Sequence, residues 1–335
     1  MNLITKNNIA NKDNNYQFTT LLRQLLNRYG IIIIFLVMVV LMSILSPYFL
    51  ELGNIINVVR QISIIAIAGF GATMVIITAG IDLAIGSVIA LAGVIAATFA
   101  HPDQYPVIVP VIIGCMVGAF TGLISGSLVA IGKIPAFIAT LGMMISARGI
   151  ALIYSNGHPI TNFSSSFDFI ARGSLFNIPF MIYVLIITAI ISHIILKHTK
   201  IGKYIYAIGG NEQAAIVSGV NVTKTLLFVY SYAGLLSGLA GVLLASRISA
   251  GHPSAGQGYE LDAIAAVVMG GTSLSGGIGT IWGTVLGALI IGVLNNGMDL
   301  LHVSAYWQQV FKGLIIVGAI LLDKYKTLSV NEDVR

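Results

Sequence analysis

Long apolar runs, each close to the length that crosses a bilayer, alternate along this chain with short polar or glycine-rich breaks. A bilayer core takes roughly 20 apolar residues per helix. That measure predicts spans near 30–50, 62–79, 87–100, 107–131, 134–153, 179–197, 225–246, 261–285, 284–301 and 307–323. The count is about ten, within a range of eight to eleven. Residues 62–100 hold two short runs around a break, and the stretch 261–301 is divided only by glycines. The predicted fold class is all-α, a polytopic integral membrane protein. A polar N-terminal tail covers 1–29, the transmembrane domain 30–323 with a polar loop at about 198–224, and a C-terminal tail 324–335. The first tail is longer than the basic region of an export signal. The run Ile31–Leu50 reaches spanning length and reads as an uncleaved first helix.

Cations assign the sides. Lys6, Lys12, Arg23 and Arg28 lie in the N-terminal tail, Lys133 between the fourth and fifth spans, Lys197, Lys200, Lys203 and Lys224 around the long loop, and Lys324, Lys326 and Arg335 at the end. With ten spans all fall on one side, which the positive-inside rule makes cytoplasmic, both termini included. The opposite loops hold His101, Pro102 and Asp103, then 154–178, then 247–260, and carry chiefly Arg172 and Arg247.

Composition supports this reading: 57% of residues are hydrophobic and 9% charged. A soluble domain has about a quarter charged residues, so lipid must solvate much of this surface. The net charge of +5 is scattered, with no basic run interleaved with aromatics, which argues against a nucleic-acid partner. Cys115, the single cysteine, excludes an intrachain disulfide and reads as a packing residue.

The chemistry-bearing segments are few. Gly114, Gly118, Gly122 and Gly126, and likewise Gly283 and Gly287, are spaced to let helix backbones approach closely. Gly126 to Lys133 fails as a phosphate loop, with five residues between its glycines and Ile134 where Ser or Thr must ligate magnesium. The break AGIDLAIGS, Ala79 to Ser87, sets Asp82 between Gly80 and Gly86. Such a carboxylate either caps the next helix at a tight turn or faces a hydrophilic path through a broken helix. GGTSLSGGIGT, Gly270 to Thr280, echoes that break through its small pair, Leu274 and Gly277, as an internal duplication would. Gly271, Ser273 and Gly276 are its path candidates.

In the basic loop, Asn211 is a candidate N-cap with Glu212 in the first turn, and Gly219 with Asn221 ends a helix of about two turns. Ala214, Ala215, Ser218 and Gly219 give it a small face suited to receiving a partner's knob. Arg60, Arg148, Asp262 and Lys312 fall near predicted helix ends, where long side chains snorkel, and Lys312 is placed to pair with Asp299. His101, His158, His252 and His302 show no ligand spacing, so no metal site is expected. No catalytic constellation is evident.

Taken together, TAGIDLAIGSVIALAG, PAFIATLGMM, TKIGKYIYAIGGN at Thr199 to Asn211, and GYELDAIAAVVMGGTSLSGGIGTIWGTVLGALIIGVLNNG at Gly258 to Gly297 resemble the permease family of carbohydrate-importing ABC transporters. The likeness runs from about residue 55 to the C-terminus. It implies a bacterial inner-membrane permease that works as a homodimer and moves a monosaccharide, ribose foremost, with galactose, xylose, arabinose and autoinducer-2 as alternatives. It also implies a cytoplasmic ATPase with two nucleotide-binding domains, which would hold ATP and magnesium, and a periplasmic sugar-binding protein. No cofactor is implied on this chain. Glu212 to Gly219 is similar to the coupling helix of such permeases, although Glu212 stands one residue further from the alanines than the strict pattern has it. The competing readings are an ion-coupled secondary transporter, which would need more deeply placed acids than Asp82, and a membrane enzyme or scaffold.

Overall fold

The computed structural model describes residues 30–102 and 104–332. Among these, α2 (Leu52–Ile77), α4 (Ile108–Ala130), α5 (Ala136–Tyr154), α7 (Phe180–His198), α10 (Val222–Ile248) and α12 (Ile281–Leu300) are long and apolar enough to cross a membrane. Two apolar helices are shorter, α1 (Gly30–Leu45) and α3 (Ile85–Thr98). Between these elements lie α6 (Ser165–Arg172), α8 (Lys200–Gly210), α9 (Glu212–Val217) and α11 (Tyr259–Met269), and α13 (Ala305–Glu332) follows them. A two-residue hairpin, β1 (Ser174–Leu175) with β2 (Ile178–Pro179), turns the chain into α7.

The helices sort by what solvates them. α2 and α10 are apolar and buried on most of their length, so they form the centre. α4 instead exposes Ile112, Met116 and Phe120, which is tolerable only where lipid is the solvent. Because lipid gives no hydrophobic drive between helices, close backbone approach must hold them together. The predicted glycine ladder does this between α4 and α10. A Cβ built on Gly118 would lie 2.7 Å from the Gly238 Cα, and one on Gly234 2.8 Å from the Gly122 Cα.

The bundle has two distinct ends. At one, Ser164 N–H donates to the Ala100 carbonyl, Ile160 and Gly251 exchange backbone bonds, and Arg60, Arg172 and Arg247 gather. This is the arginine end. The opposite, lysine end carries Lys133, the α7–α8–α9 segment with Lys197, Lys200 and Lys203, and Lys224.

Three sequence expectations need correction. Helix α2 begins at Leu52, well before 62, because its polar residues find partners: Asn54 and Asn296 exchange bonds of 2.9 and 2.7 Å, and Arg60 Nη2 donates to the Arg172 carbonyl at 2.8 Å. The expected span 261–285 is not one helix. It is α11, eleven residues long, followed by a non-helical stretch 270–280 and then the start of α12. Apolarity is continuous there, but Gly270 and Gly271 end the helix, Gly271 at φ +87°. Helix α13 runs on from the last expected span into the C-terminal tail as far as Glu332. Asn221 does not close the helix before it; its Oδ1 accepts from the Lys224 N–H and caps α10. The 1–29 tail lies outside the described residues.

Candidate functional site

At the lysine end three segments singled out in the sequence converge. Helix α2 ends in a Schellman turn: Gly80 N–H bonds the Val75 carbonyl at 3.0 Å, Ala79 N–H bonds that of Ile76 at 2.8 Å, and Ala79 is left-handed at φ 59°. Helix α11 ends the same way, with Thr272 N–H to Val267 at 3.2 Å and Gly271 N–H to Val268 at 2.9 Å. The echo between the two sequence motifs is therefore structural as well, displaced by one residue. Gly271 occupies the place of Ala79, not of Gly80.

The two breaks touch. Gly277 N–H donates to the Ile77 carbonyl at 2.9 Å, and Thr73 and Thr284 share a buried hydroxyl bond of 2.6 Å just inside them. A Cβ on Gly276 would stand 3.0 Å from that of Ala79. Ser273 is buried in the second break, its N–H bonded to the Ile278 carbonyl and its Oγ receiving the Ser275 N–H.

Helix α8 seats on this junction. Tyr206 Oη donates to the Gly279 carbonyl at 2.7 Å, and Gly209 lies so close to the Ile77 carbonyl and the Gly277 N–H that only a hydrogen fits as its side chain. Asn211 joins α8 rigidly to α9. Its N–H closes α8 on the Ala207 carbonyl at 3.0 Å, and its Oδ1 accepts from the Ala214 N–H at 2.9 Å, as the expected N-cap should. Gly219 ends the helix at φ +83°.

The face of α9 is not as the sequence suggested. Ala215 is buried in this chain's own core, while Glu212, Ala214, Ser218 and Gly219 are exposed. Ile216 and Val217 project outward, Val217 at 89% exposure. Six residues complete fewer than two turns, so the inward position at Ala215 follows from how α8 and α10 hold the segment.

Asp82 is buried, and its Oδ1 accepts from the Ala84 N–H at 2.8 Å, two residues on. This secures the turn ahead of α3, not the first turn of the helix. Next to it, Gly80 makes room for the Tyr230 hydroxyl. Asp82→Asn keeps the acceptor and is expected to assemble normally, whereas Asp82→Leu strands a buried N–H at about 1–3 kcal/mol. Thermal unfolding in detergent checks this; equal stability of both variants would contradict it.

A second polar feature was missed by the sequence reading. Residues 251–258, expected to be an outer loop, fold into the bundle beside α3. A Cβ on Gly251 would meet the Gly93 carbonyl, while one on Gly256 would meet that of Gly86, at 3.0 and 2.8 Å. Seven residues of α3 separate those levels, a descent of about 10 Å at 1.5 Å per residue. Helix α11 thus starts inside the bundle. Its eleven residues span about 16 Å, half the hydrocarbon thickness. Gly86 belongs here and not to the paired breaks, since a Cβ on it would strike the Glu260 carboxylate and the Gly256 carbonyl.

Between α3, α5 and this segment runs a cleft of about 420 Å³, lined by Ser87, Arg148, Ser254, Gln257 and Glu260 with Met144, Ile145 and Leu152. Arg148 does not snorkel. Its Nη1 donates to the Pro253 and Ala255 carbonyls at 2.7 and 2.8 Å and fixes the infolded segment. The visible signal was an arginine six residues inside an apolar span. Lys312 also departs from expectation. Its Nζ lies 2.9 Å from Asp262 Oδ2, tying α13 to the first turn of α11, while Asp299 accepts from Gln308 Nε2. Lys312 lies two turns down α13, below the level of Asp299 in the last turn of α12 and level with the buried start of α11.

Comparison with known proteins bears on these features. The family described as the branched-chain amino acid transport system / permease component matches residues 54–320. The ribose import permease protein of Bacillus subtilis is 48% identical over 293 residues, 87% of this chain and 91% of that protein. Its counterpart from Haemophilus influenzae is 46% identical over 294 residues, again 87% and 91%. The D-allose transport system permease protein of Escherichia coli K12 is 38% identical over 299 residues, 89% and 92%. No solved structure matches the chain.

Proposed function

The chain belongs to this family of transport-system permease components, and from that membership we propose that it is the membrane-spanning subunit of an ATP-driven sugar importer with ribose as its sugar. The identity to ribose import permeases over nearly nine-tenths of the chain carries the reading. Galactose, xylose, arabinose and autoinducer-2 are the alternative cargoes. The family's description raises branched-chain amino acids as a second reading, which the 46–48% identity to ribose import permeases over 87% of the chain disfavours.

In this reading the permease crosses the bacterial inner membrane about ten times, with both termini and the lysine end in the cytoplasm and the arginine end outside. A second copy completes the path. A separate ATPase with two nucleotide-binding domains binds ATP and magnesium and docks on α9, whose exposed Ile216 and Val217 offer apolar contact. The sugar-binding protein docks at the arginine end. Arg172 Nε donates to the Arg247 carbonyl at 3.1 Å and Arg60 reaches the Arg172 carbonyl, and no carboxylate pairs with the three among the described residues. That leaves cationic surface for an acidic partner.

Reconstitution tests the whole. Proteoliposomes holding the permease, its ATPase and its binding protein should take up labelled ribose on ATP addition, and lose uptake when either partner is withheld. Import of leucine in preference to every sugar would replace the reading. Sugar uptake driven by a proton gradient without ATP would replace it with a secondary transporter.

A further inference from the structure

We infer that the cleft between α3, α5 and residues 251–258 is a binding station for a neutral polyol, with Ser87, Ser254, Gln257, Glu260 and Arg148 meeting its hydroxyls. The inference rests on the sugar-importer reading and adds to it where in this chain the sugar is handled.

The case begins with cost. A half-buried guanidinium and carboxylate in an apolar bundle, with an exposed amide beside them, are expensive against lipid and are tolerated where they face one another or water. The structure has spent backbone regularity to bring them there. Gly256 and Gly258 take φ values of +68° and +84° so that the chain can fold inward and start α11 at depth. Only glycine at position 86 admits the Glu260 carboxylate beside α3.

The donor set fits a polyol. Each sugar hydroxyl both donates and accepts, so a site needs both functions close together. Ser87, Ser254 and Gln257 supply both. Arg148 has five N–H donors, of which Nη1 uses two on the Pro253 and Ala255 carbonyls, leaving three. Glu260 accepts from the Gly258 N–H at 3.2 Å through Oε1 and retains further lone pairs. One cation and one anion cancel, which suits a neutral solute over an anionic one. Met144, Ile145 and Leu152 supply the apolar wall for the C–H faces. The volume of about 420 Å³ lies within the usual range of small-molecule sites. No aromatic ring lines the cleft to stack on the sugar, so retention should be weak, as a conduit requires.

The cleft follows α5 from Leu152 to Met144, about 12 Å along the helix axis. It leads from the arginine end toward the level of Ser87 on the first turn of α3.

The test uses the complete complex in proteoliposomes, with Cys115→Ala as background and labelled ribose as probe. Ser254→Cys should transport, react with a small methanethiosulfonate, and then lose at least about tenfold in uptake, with excess ribose slowing the reaction. His158→Cys, in the exposed turn beyond α5, should react without loss. Gln257→Leu should reduce uptake at least about tenfold while still co-purifying with the ATPase, since about 1.4 kcal/mol is tenfold. Full uptake after Ser254→Cys is modified, no reaction in the assembled complex, or unchanged uptake in Gln257→Leu would each overturn the inference and leave the importer reading standing. A wild-type complex that imports no sugar would overturn both.

Discussion

Val217→Asp is expected to lower ribose uptake by about two orders of magnitude while the permease still reaches the membrane in normal amount. Val217 is almost wholly exposed and touches little of its own chain, so folding should be indifferent to the change. Its partner is the ATPase under the proposed reading. Placing a carboxylate in an apolar contact costs about 1–3 kcal/mol or more, and every 1.4 kcal/mol is a factor of ten in the complex. Ala214→Trp should act similarly by overfilling the exposed face of α9. The contrast is Ala215→Leu, which overpacks this chain's own interior and should lower thermal stability itself. Co-purification of the ATPase with each variant, beside membrane levels, separates the two effects. Undiminished co-purification and uptake in Val217→Asp would remove α9 as the docking element.

Much of the fold was legible because the bilayer demands long apolar runs. α4, α5, α7 and α12 fall within three residues of the expected bounds. The glycine ladder was legible for a related reason, since small residues four apart have few other uses in such a helix. The misreadings arise where apolarity and helicity part company. Nothing in the hydropathy of 261–285 distinguishes a spanning helix from an eleven-residue helix followed by a loop. The decision lies with Gly270 and Gly271, and with an infolded 251–258 that depends on Gly86, far away in sequence. The pairing of Lys312 with Asp262 instead of Asp299 follows from the same displacement, because α11 begins deeper than a full span would.

The lysine-end segments were recognisable one by one, through cap and turn chemistry at Asn211, Gly219 and Gly80. Their meeting was not, since Gly209, Ile77 and Gly277 carry no pattern that announces contact. The cleft was the least legible feature. Arg148 looks like a helix-end charge but lies six residues inside α5, and Glu260 sits in the first turn of α11, a helix that begins inside the bundle and not at its surface.

Gly209→Ala is expected to abolish coupled uptake while Gly210→Ala leaves it intact. The two glycines are adjacent at the end of α8, yet a methyl group meets opposite surroundings. At Gly210 a Cβ finds nothing within 4 Å, and at Gly209 it collides with the Ile77 carbonyl and stands 2.6 Å from the Gly277 nitrogen. Relief requires α8 to lift from the junction or the Gly277 to Ile77 hydrogen bond to open, at about 1–3 kcal/mol. Under the proposed reading, displacement of α9 would reach the membrane helices through Asn211, Gly209 and then both breaks at once, because Ile77 ends α2 and Gly277 precedes α12. Separating α8 from that junction should therefore leave the docking face of α9 intact but cut what lies behind it. ATPase co-purification should persist, ATP hydrolysis should continue, and the sugar transported per ATP should fall by at least about tenfold. If Gly209→Ala retains the wild-type ratio, force reaches the bundle by another route, for which Asn221 at the start of α10 is the next contact to test.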